Sequence, residues 1–183
     1  LTYETEHGSE TVSFTNASVT IHIQKPHHWT PNAPYVYRFT IRCGEDEISS
    51  YFALRTITAE HKNDSSVLCL NGKPHYFHGL LDQGYDPDGI ELPATPDGYR
   101  RDIEAAKSLG FDTLRKHIRI DDPYFYYFCD MLGMCVFQDF VNNGDYSFLR
   151  DTALPTIGIR RGIKRHASDT QKQNFIRAAD ETV

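Results

Sequence analysis

Apolar and polar positions alternate from Thr11 to about Leu70 with the period of a β-strand. This alternation places the apolar side chains on one face of the chain, which is typical of half-buried strands. Four runs of this kind predict strands: 18–23, 35–41, 48–57 and 67–70. Asn71-Gly72 directly after the fourth run is a strong signal for a two-residue hairpin turn.

Short strands at this spacing are typical of an antiparallel β-sandwich, which needs about seven of them. The pattern predicts only about four or five strands. We therefore expect residues 1–70 to be part of a domain, with a second region over 71–183.

The pattern changes to alternating strands and helices from His75 onward. Three apolar runs predict strands at 76–81, 111–118 and 134–138. Repeated β-α units require parallel strands, so this half predicts either a doubly wound sheet or a (β/α)8 barrel. No glycine-rich loop follows the first strand, which disfavours a nucleotide-binding fold.

Capping residues mark the start of each predicted helix. Two starts combine a capping side chain with a proline at the first helical position, and a third is a capping box. The pairs are Thr95-Pro96, Asp122-Pro123 and, three residues apart, Ser168 and Gln171. Gly110 and Gly133 are expected to end the first two helices.

Polar side chains cluster where the predicted parallel strands end. In α/β architectures, binding and catalytic groups gather at the carboxyl ends of the strands. The candidate substrate-binding or site-supporting residues are Asp82, Gln83, Arg115, His117, Asp139 and Asn142, with Asn143 beside the last.

Each of these residues has a structural alternative. Arg115 is expected either to pair with a carboxylate of a neighbouring strand or to orient a polar substrate, because a buried arginine needs a partner. His117 is either a hydrogen-bonded core histidine or a binding group. Asp82 and Asp139 are equally compatible with roles in loops or helix caps.

Two long connections follow these strands, 83–94 and 142–167. Long loops inside a compact domain are often binding loops. Their aromatic residues, among them Tyr85, Tyr146 and Phe148, lie among Asp, Asn and Arg. This mixture suits a sugar, which stacks on rings and hydrogen-bonds through its hydroxyls. The alternative is that the loops pack their own aromatic side chains.

Composition and charge exclude several classes of protein. Hydrophobic residues make up 39% of the chain, which is enough for a packed core. A net charge of −6 disfavours nucleic-acid or anionic-membrane partners, and the basic run 160–166 is expected to be a solvated surface. No apolar run approaches the roughly 20 residues that a membrane span needs.

Cysteines and histidines show no metal-binding spacing. The four cysteines lack a CxxC pair, so we expect buried free thiols and, by default, a cytoplasmic protein. The nine histidines include no HExxH, so no metal site is expected. The chain begins without Met or a signal-peptide pattern, and we expect it to be part of a longer protein.

Three segments follow one another in a characteristic order: 29–37 (WTPNAPYVY), 52–57 (FALRTI) and 70–74 (LNGKP), followed by Gly79. This series resembles the domain junction of glycoside hydrolase family 2, which contains β-galactosidases, β-glucuronidases and β-mannosidases. Further on, the chain resembles the first signature of this family, with Arg115 on its arginine and Asp130 and Gly133 on its Asp-x-x-Gly. The similarity covers about 23–140.

Two departures indicate a divergent subgroup. His117 lies one position before the histidine of the family, and 80–85 (LLDQGY) stands where the family often has Asn-Arg-His. The resemblance implies that an immunoglobulin-like sandwich ends at about Leu70. It also implies that a catalytic (β/α)8 barrel starts at about Asn71, with its first three β-α units in this chain.

The resemblance further implies a retaining β-glycosidase, β-galactosidase-like, that hydrolyses terminal β-glycosidic bonds with two glutamates. The family carries its acid/base glutamate in an Asn-Glu pair, and no such pair occurs in this chain. We therefore expect no catalytic residue here and no hydrolase activity of the chain alone. The expected partner is a carbohydrate, and the open sheet edges of a partial barrel predict either self-association into a homo-oligomer or partial disorder after about Asn142. No cofactor is expected, since nothing in the sequence supports the Mg²⁺ that the family can use.

Two alternatives remain open. One is a non-catalytic carbohydrate-binding or scaffold protein that has the same sandwich–barrel junction. The other is a different parallel α/β enzyme that uses Asp82 and Asp139 as its pair of carboxylates.

Overall fold

The structure, a computed structural model, describes residues 1–15, 18–62, 65–140, 146–159 and 168–182. Its first sheet is antiparallel, with four strands in the order β2-β1-β3-β4. The strands are β1 (Thr2–Thr5), β2 (Gly8–Thr11), β3 (Tyr37–Cys43) and β4 (Asp46–Phe52).

A second antiparallel sheet follows, with three strands in the order β5-β6-β7. These are β5 (Ile57–Lys62), β6 (Ser65–Leu70) and β7 (Lys73–Pro74). Asn71 and Gly72 form the turn between β6 and β7 with φ angles of 51° and 72°. Positive φ at both central positions is what a type I′ turn requires, so the hairpin predicted at Asn71-Gly72 is confirmed.

The strand predicted at 18–23 is wrong. Val19, Ile21 and Ile23 are half-buried and the residues between them are exposed, but this segment joins no sheet within the part of the chain that the structure describes. Alternation reports which face of a chain is covered, whereas a strand also needs a hydrogen-bonding partner. The expected count was also too low. The hairpin β1–β2 was missed, and the run 48–57 divides between β4 and β5, giving six strands within the described part of residues 1–70.

Three parallel strands form the third sheet, in the order β10-β9-β8. They are β8 (Gly79–Asp82), β9 (Thr113–Lys116) and β10 (Cys135–Gln138). Helix α1 (Asp97–Ser108) connects the first two strands, and helix α2 (Pro123–Leu132) connects the last two. The predicted switch to β-α units and the parallel arrangement are both confirmed.

Helices α1 and α2 cover one face of this sheet, and the main hydrophobic core lies between them and the strands. The spacing of Ile103 and Ala106 turns both toward this core, as their periodicity predicted. The buried members are Ile103, Ala106, Leu114, Phe125, Cys129 and Met134. We call this side of the sheet the helix-covered face and the opposite side the open face.

The predicted helix boundaries are largely confirmed. Gly133 ends α2 in the left-handed conformation. Helix α1 begins at Asp97 without a side-chain cap, because Thr95 accepts the Gly98 N–H through its backbone carbonyl rather than its hydroxyl. A π-helical turn (Phe148–Ala153) leads into the short helix α3 (Leu154–Thr156).

Helix α4 (Asp169–Thr182) starts at the predicted capping box. The Gln171 N–H donates to the Ser168 hydroxyl, and the Gln171 side chain accepts from the Ser168 N–H. Both halves of the reciprocal pair are therefore present.

The Asp122 cap gives a first testable prediction. Its carboxylate accepts the Tyr124 N–H at 2.9 Å and satisfies one of the free donors at the start of α2. Replacing Asp122→Ala is expected to lower the free energy of unfolding by about 1 kcal/mol, measured by urea denaturation. Asp122→Asn keeps the acceptor and should retain most of that stability. Equal losses in the two variants would contradict the capping role.

The β-sheet half meets the α/β half around Trp29, which is 1% exposed. Its indole N–H donates to the Asp130 backbone carbonyl at 2.7 Å, and the Arg55 guanidinium lies 4.6 Å from its ring centroid. Arg55 also forms an ion pair with the Asp130 carboxylate at 2.6 Å, and the Tyr51 hydroxyl donates to the same group at 3.1 Å. Asp130 thus joins the two halves through both its backbone and its side chain.

A second contact between the halves involves the last turn of α1 and the residue that follows α2. The Lys107 ammonium donates to the carbonyls of Pro31 and Gly133, both at 2.9 Å. Gly133 has φ of 79°, and a Cβ placed there would lie 2.3 Å from the Pro31 carbonyl oxygen. The chain therefore needs glycine at this position for two reasons, its backbone conformation and its contact with Pro31.

Three of the four cysteines are buried free thiols, as predicted, but Cys43 is exposed. It ends β3 beside the turn at Gly44, outside the core, so the expectation of a buried thiol is wrong there. Burial raises the pKa of the Cys135 thiol to about 11, which keeps it protonated and unreactive near neutral pH.

Candidate functional site

Strand register decides which polar residues can share a site. Leu81 and Phe137 lie opposite Arg115, while Asp82 and Gln138 lie opposite Lys116. Successive side chains point to opposite faces of a sheet. Arg115 therefore belongs to the open face, and Lys116 belongs to the helix-covered face.

Arg115 and Asp139 meet on the open face at the carboxyl ends of β9 and β10. The Arg115 Nε and Nη2 atoms donate to the two Asp139 carboxylate oxygens at 3.1 and 2.8 Å. This two-point geometry is the strong form of an arginine–carboxylate pair. The ion pair with a neighbouring strand that the sequence offered for Arg115 is thus present. Arg115 nevertheless remains 57% exposed, so its outer edge faces open space.

The pair fixes the ionisation of both groups. The hydrogen bond from Arg115 and its positive charge hold the pKa of the Asp139 carboxyl below its usual range. The same bond raises the pKa of the Arg115 guanidinium. Asp139 is therefore an anionic acceptor at neutral pH and not a proton donor.

This pairing predicts a shift in an NMR titration. In Arg115→Gln, the pKa of Asp139 is expected to rise toward the usual value of about 3.9. Arg115→Lys keeps the charge without the two-point bond, so an intermediate pKa is expected. Because the folded pKa is lowered, any stabilisation by the pair is present above the unfolded pKa and is lost as pH falls through the folded one. Identical titration of Asp139 in all three proteins would contradict this interpretation.

Gln83 and His117 also approach each other at this edge. The Gln83 amide nitrogen lies 3.5 Å from the His117 Nδ1 atom, at the limit of a hydrogen bond. His117 is only partly buried, so it is not an enclosed core histidine. Its ring and the Gln83 amide present donors and acceptors toward solvent, which suits a polyhydroxylated ligand.

Asp82 lies apart from the open-face residues. Its carboxylate accepts from the Lys116 ammonium at 2.9 Å and from the Gly84 N–H at 2.7 Å. Asp82 therefore joins a cluster on the helix-covered face, while Asp139 pairs with Arg115 on the open face. Because the two carboxylates belong to opposite faces, the alternative in which they act as a catalytic pair has no geometric support.

Lys116 is the main residue that sequence reasoning missed. It is 1% exposed and forms a second ion pair with Asp121, whose side chain is also 1% exposed. Burial alone raises the pKa of the Asp121 carboxyl, but hydrogen bonds from Lys116, the Asp122 N–H and Tyr99 outweigh it and hold that pKa below the usual range. The signal in the sequence was a lysine at a core position of β9 with two aspartates five and six residues later.

The aromatic residues of the long connections do not pack on their own loops. Tyr85, Tyr146 and Phe148 are all largely exposed. Within 83–94, the backbone of Asp86 and Ile90 pairs in a local turn, and this gives the connection a fixed shape. Asn142 and Asn143, together with the basic run 160–166, lie outside the described residues.

Neither a membrane span nor a metal cluster is found in the described part of the chain. No helix among residues 1–15, 18–62, 65–140, 146–159 and 168–182 has the length and apolar composition of a membrane span. Over the same ranges, no three His, Cys, Asp or Glu side chains come together where they could hold a metal ion.

In sequence, the chain is similar to glycosyl hydrolases. The model of glycosyl hydrolases family 2 matches residues 2–55. A β-galactosidase of Pseudoalteromonas haloplanktis is 28% identical over 122 residues, which cover 66% of this chain and 12% of that protein. A β-galactosidase of Pectobacterium atrosepticum is 26% identical over 125 residues, covering 67% and 12%. The chain therefore spans about 12% of the length of these curated relatives.

Solved structures of two β-glucuronidases share the fold of this chain. A β-glucuronidase of Faecalibacterium prausnitzii superposes with a TM-score of 0.66 and 26% identity, over 76% of this chain and 23% of that one. A β-glucuronidase of Parabacteroides merdae shares the fold with a TM-score of 0.63 and 17% identity, over 86% and 21%. These matches confirm the resemblance to glycosyl hydrolases family 2 that the sequence predicted.

Proposed function

We propose that this chain is the junction segment of a retaining β-glycosidase, with an immunoglobulin-like sandwich over 1–70 and the first three units of a (β/α)8 barrel over 71–183. The observation that carries the proposal is the three-stranded parallel sheet with its polar carboxyl edge, which follows the β region that the family model matches and the hairpin sheet β5-β6-β7. In (β/α)8 enzymes this edge is the active-site side.

The open-face residues have the chemistry of a sugar subsite. Asp139 is anionic and can accept hydrogen bonds from sugar hydroxyls, and the exposed edge of Arg115 can donate to them. Gln83 and His117 supply further donors and acceptors a short distance away. Exposed Tyr85 offers a ring on which the CH face of a sugar can stack.

The reaction itself needs two more carboxyl groups. A retaining enzyme uses a protonated acid and an ionised nucleophile about 5–5.5 Å apart. Asp139 is committed to Arg115 and Asp82 to Lys116, so neither is free for these roles. We therefore place both catalytic glutamates outside residues 1–183. The substrate class that follows is a terminal β-glycoside such as a β-galactoside.

Activity assays on two proteins test this proposal. The purified 183-residue chain is expected to release no nitrophenol from nitrophenyl β-galactoside or β-glucuronide. The polypeptide encoded by the complete reading frame is expected to hydrolyse at least one nitrophenyl β-glycoside with a turnover of about 1–1,000 s⁻¹, the usual enzyme range.

Two results would count against the proposal. Turnover by the isolated chain at the rate of the complete polypeptide would show that the site lies within these residues. Sugar binding by the complete polypeptide without hydrolysis of any β-glycoside would instead favour the non-catalytic carbohydrate-binding alternative.

A further inference from the structure

Lys116 is the most completely buried charge in the described chain. It ends β9 on the helix-covered face, 1% exposed, with its ammonium 4.4 Å from the Phe125 ring centroid. Taking an ammonium out of water is costly, and a protein retains it only where partners compensate. Asp82 and Asp121 provide two carboxylates, so the arrangement is a compensated buried cluster.

The two partners of Lys116 lie at the ends of different loops. Asp82 is the last residue of β8, directly before the connection to α1, and its carboxylate also accepts the Gly84 N–H. Asp121 ends the connection after β9 and accepts a hydrogen bond from the Tyr99 hydroxyl of α1 at 2.9 Å. One ammonium therefore holds the start of one loop and the end of the next.

Arg119 adds a second link between the same two loops. Its Nη1 atom donates to the Gly84 carbonyl at 2.9 Å, and its Nη2 atom lies 3.6 Å from an Asp121 carboxylate oxygen. The His117 N–H donates to the Asp82 carbonyl at 2.9 Å. The segments that carry Gln83 and His117 are thus connected at three points behind the open face.

The backbone between these points is strained. Ile118 has φ of 47°, and a β-branched residue rarely adopts the left-handed region. Such a conformation costs free energy and persists only where the surrounding contacts determine it, which occurs mostly at binding and catalytic sites. Ile118 lies between His117 and Arg119, in the connection from β9 to α2. The ion pair between Lys116 and Asp121 joins the two ends of this connection.

We propose that Lys116 is a positioning residue, which sets the places of Gln83 and His117 for the sugar without touching it. It acts from the opposite face of the sheet, by clamping the loops after β8 and β9 through Asp82 and Asp121. This inference rests on the proposed function, because it assigns the clamped loops to a sugar subsite.

The first test uses the 183-residue chain and hydrogen exchange. In Lys116→Met, exchange of the Gly84 and His117 amides is expected to accelerate about tenfold or more, while the amides of α2 keep their protection. Lys107→Met is the matched control, since Lys107 is a partly buried lysine whose ammonium donates to the backbone carbonyls of Pro31 and of Gly133, which precedes β10. It should leave the Gly84 and His117 amides unchanged. Unchanged exchange in Lys116→Met would overturn the clamp.

The second test uses the complete polypeptide and nitrophenyl β-glycosides. Lost positioning of binding groups raises KM with little change in kcat, so Lys116→Met is expected to raise KM roughly tenfold. Lys116→Arg keeps the charge and should recover part of the loss. If Lys116→Met does not fold, Asp121→Asn removes one partner with little change of shape and should shift KM in the same direction.

The outcomes separate the two proposals. A lower kcat at unchanged KM, in proportion to the folded fraction, would show a merely structural lysine and overturn the inference. If the wild-type polypeptide hydrolyses no β-glycoside, the proposed function fails, and the assignment of the loops to a sugar subsite fails with it. The exchange experiment then still decides whether Lys116 clamps the two loops.

Discussion

Trp29→Ala is expected to lower the free energy of unfolding by about 3–5 kcal/mol, the largest effect of any single substitution considered. Trp29 is the single tryptophan of the chain and is 1% exposed between the β-sheet half and α2. Its removal leaves a cavity and deprives Arg55 of its ring contact and the Asp130 carbonyl of its donor. Because the variant lacks tryptophan fluorescence, urea unfolding should be followed by far-ultraviolet circular dichroism.

Trp29→Phe separates the packing of the ring from the hydrogen bond. It keeps most of the apolar volume but loses the indole N–H, so a smaller loss is expected, with the hydrogen bond contributing about 1 kcal/mol. If Trp29→Ala cost less than Trp29→Phe, or if neither changed stability, the two halves would not depend on this contact.

Gly133→Ala is expected to destabilise the chain by about 2–5 kcal/mol. The left-handed conformation alone costs an L-residue roughly 1–2 kcal/mol, and crowding against a packed neighbour adds about 1–3 kcal/mol. The crowding arises because the new Cβ would lie 2.3 Å from the Pro31 carbonyl oxygen. The free energy of unfolding from urea denaturation measures the sum.

Gly110→Ala is the matched control for this substitution. Gly110 follows α1 as Gly133 follows α2, and its φ of 90° is also positive. A Cβ at Gly110 meets nothing within 4 Å, so only the conformational cost is expected there. The difference between the two variants measures the contact with Pro31. Equal losses of stability would mean that the contact with the Pro31 carbonyl adds no cost to an alanine at position 133.

Local signals in the sequence were sufficient for much of the fold. The Asn71-Gly72 turn, the Asp122 cap and the capping box at Ser168 each depend on a few adjacent residues, and each is present. The β-α alternation after His75 also predicted the parallel sheet, because short connections through helices leave few other arrangements.

Features that depend on distant partners were predicted less well. The segment 18–23 alternates as a strand does, but no neighbouring strand pairs with it in the described chain. Cys43 looked like a core thiol, yet it lies beyond the covered part of β3. In each case the local pattern was real, and the missing information was which other segment lies beside it.

The candidate site likewise contains some features that the sequence predicted and others that depend on distant partners. For Arg115, an ion pair with a carboxylate of a neighbouring strand was among the stated alternatives, and its pair with Asp139 is present. Lys116 was missed because a lysine is usually exposed, and its burial depends on aspartates and helices that only the fold brings together. Asp82 was grouped with the binding residues, although parity with Lys116 turns it to the other face.

The most direct test of the central claim is covalent labelling of the complete polypeptide by a 2-deoxy-2-fluoro β-glycoside, followed by peptide mapping. Such a sugar traps the glycosyl-enzyme of a retaining glycosidase on its nucleophile. We predict that the label is found on a glutamate outside residues 1–183, with Asp82 and Asp139 unlabelled. A label on any carboxylate within residues 1–183 would contradict the account.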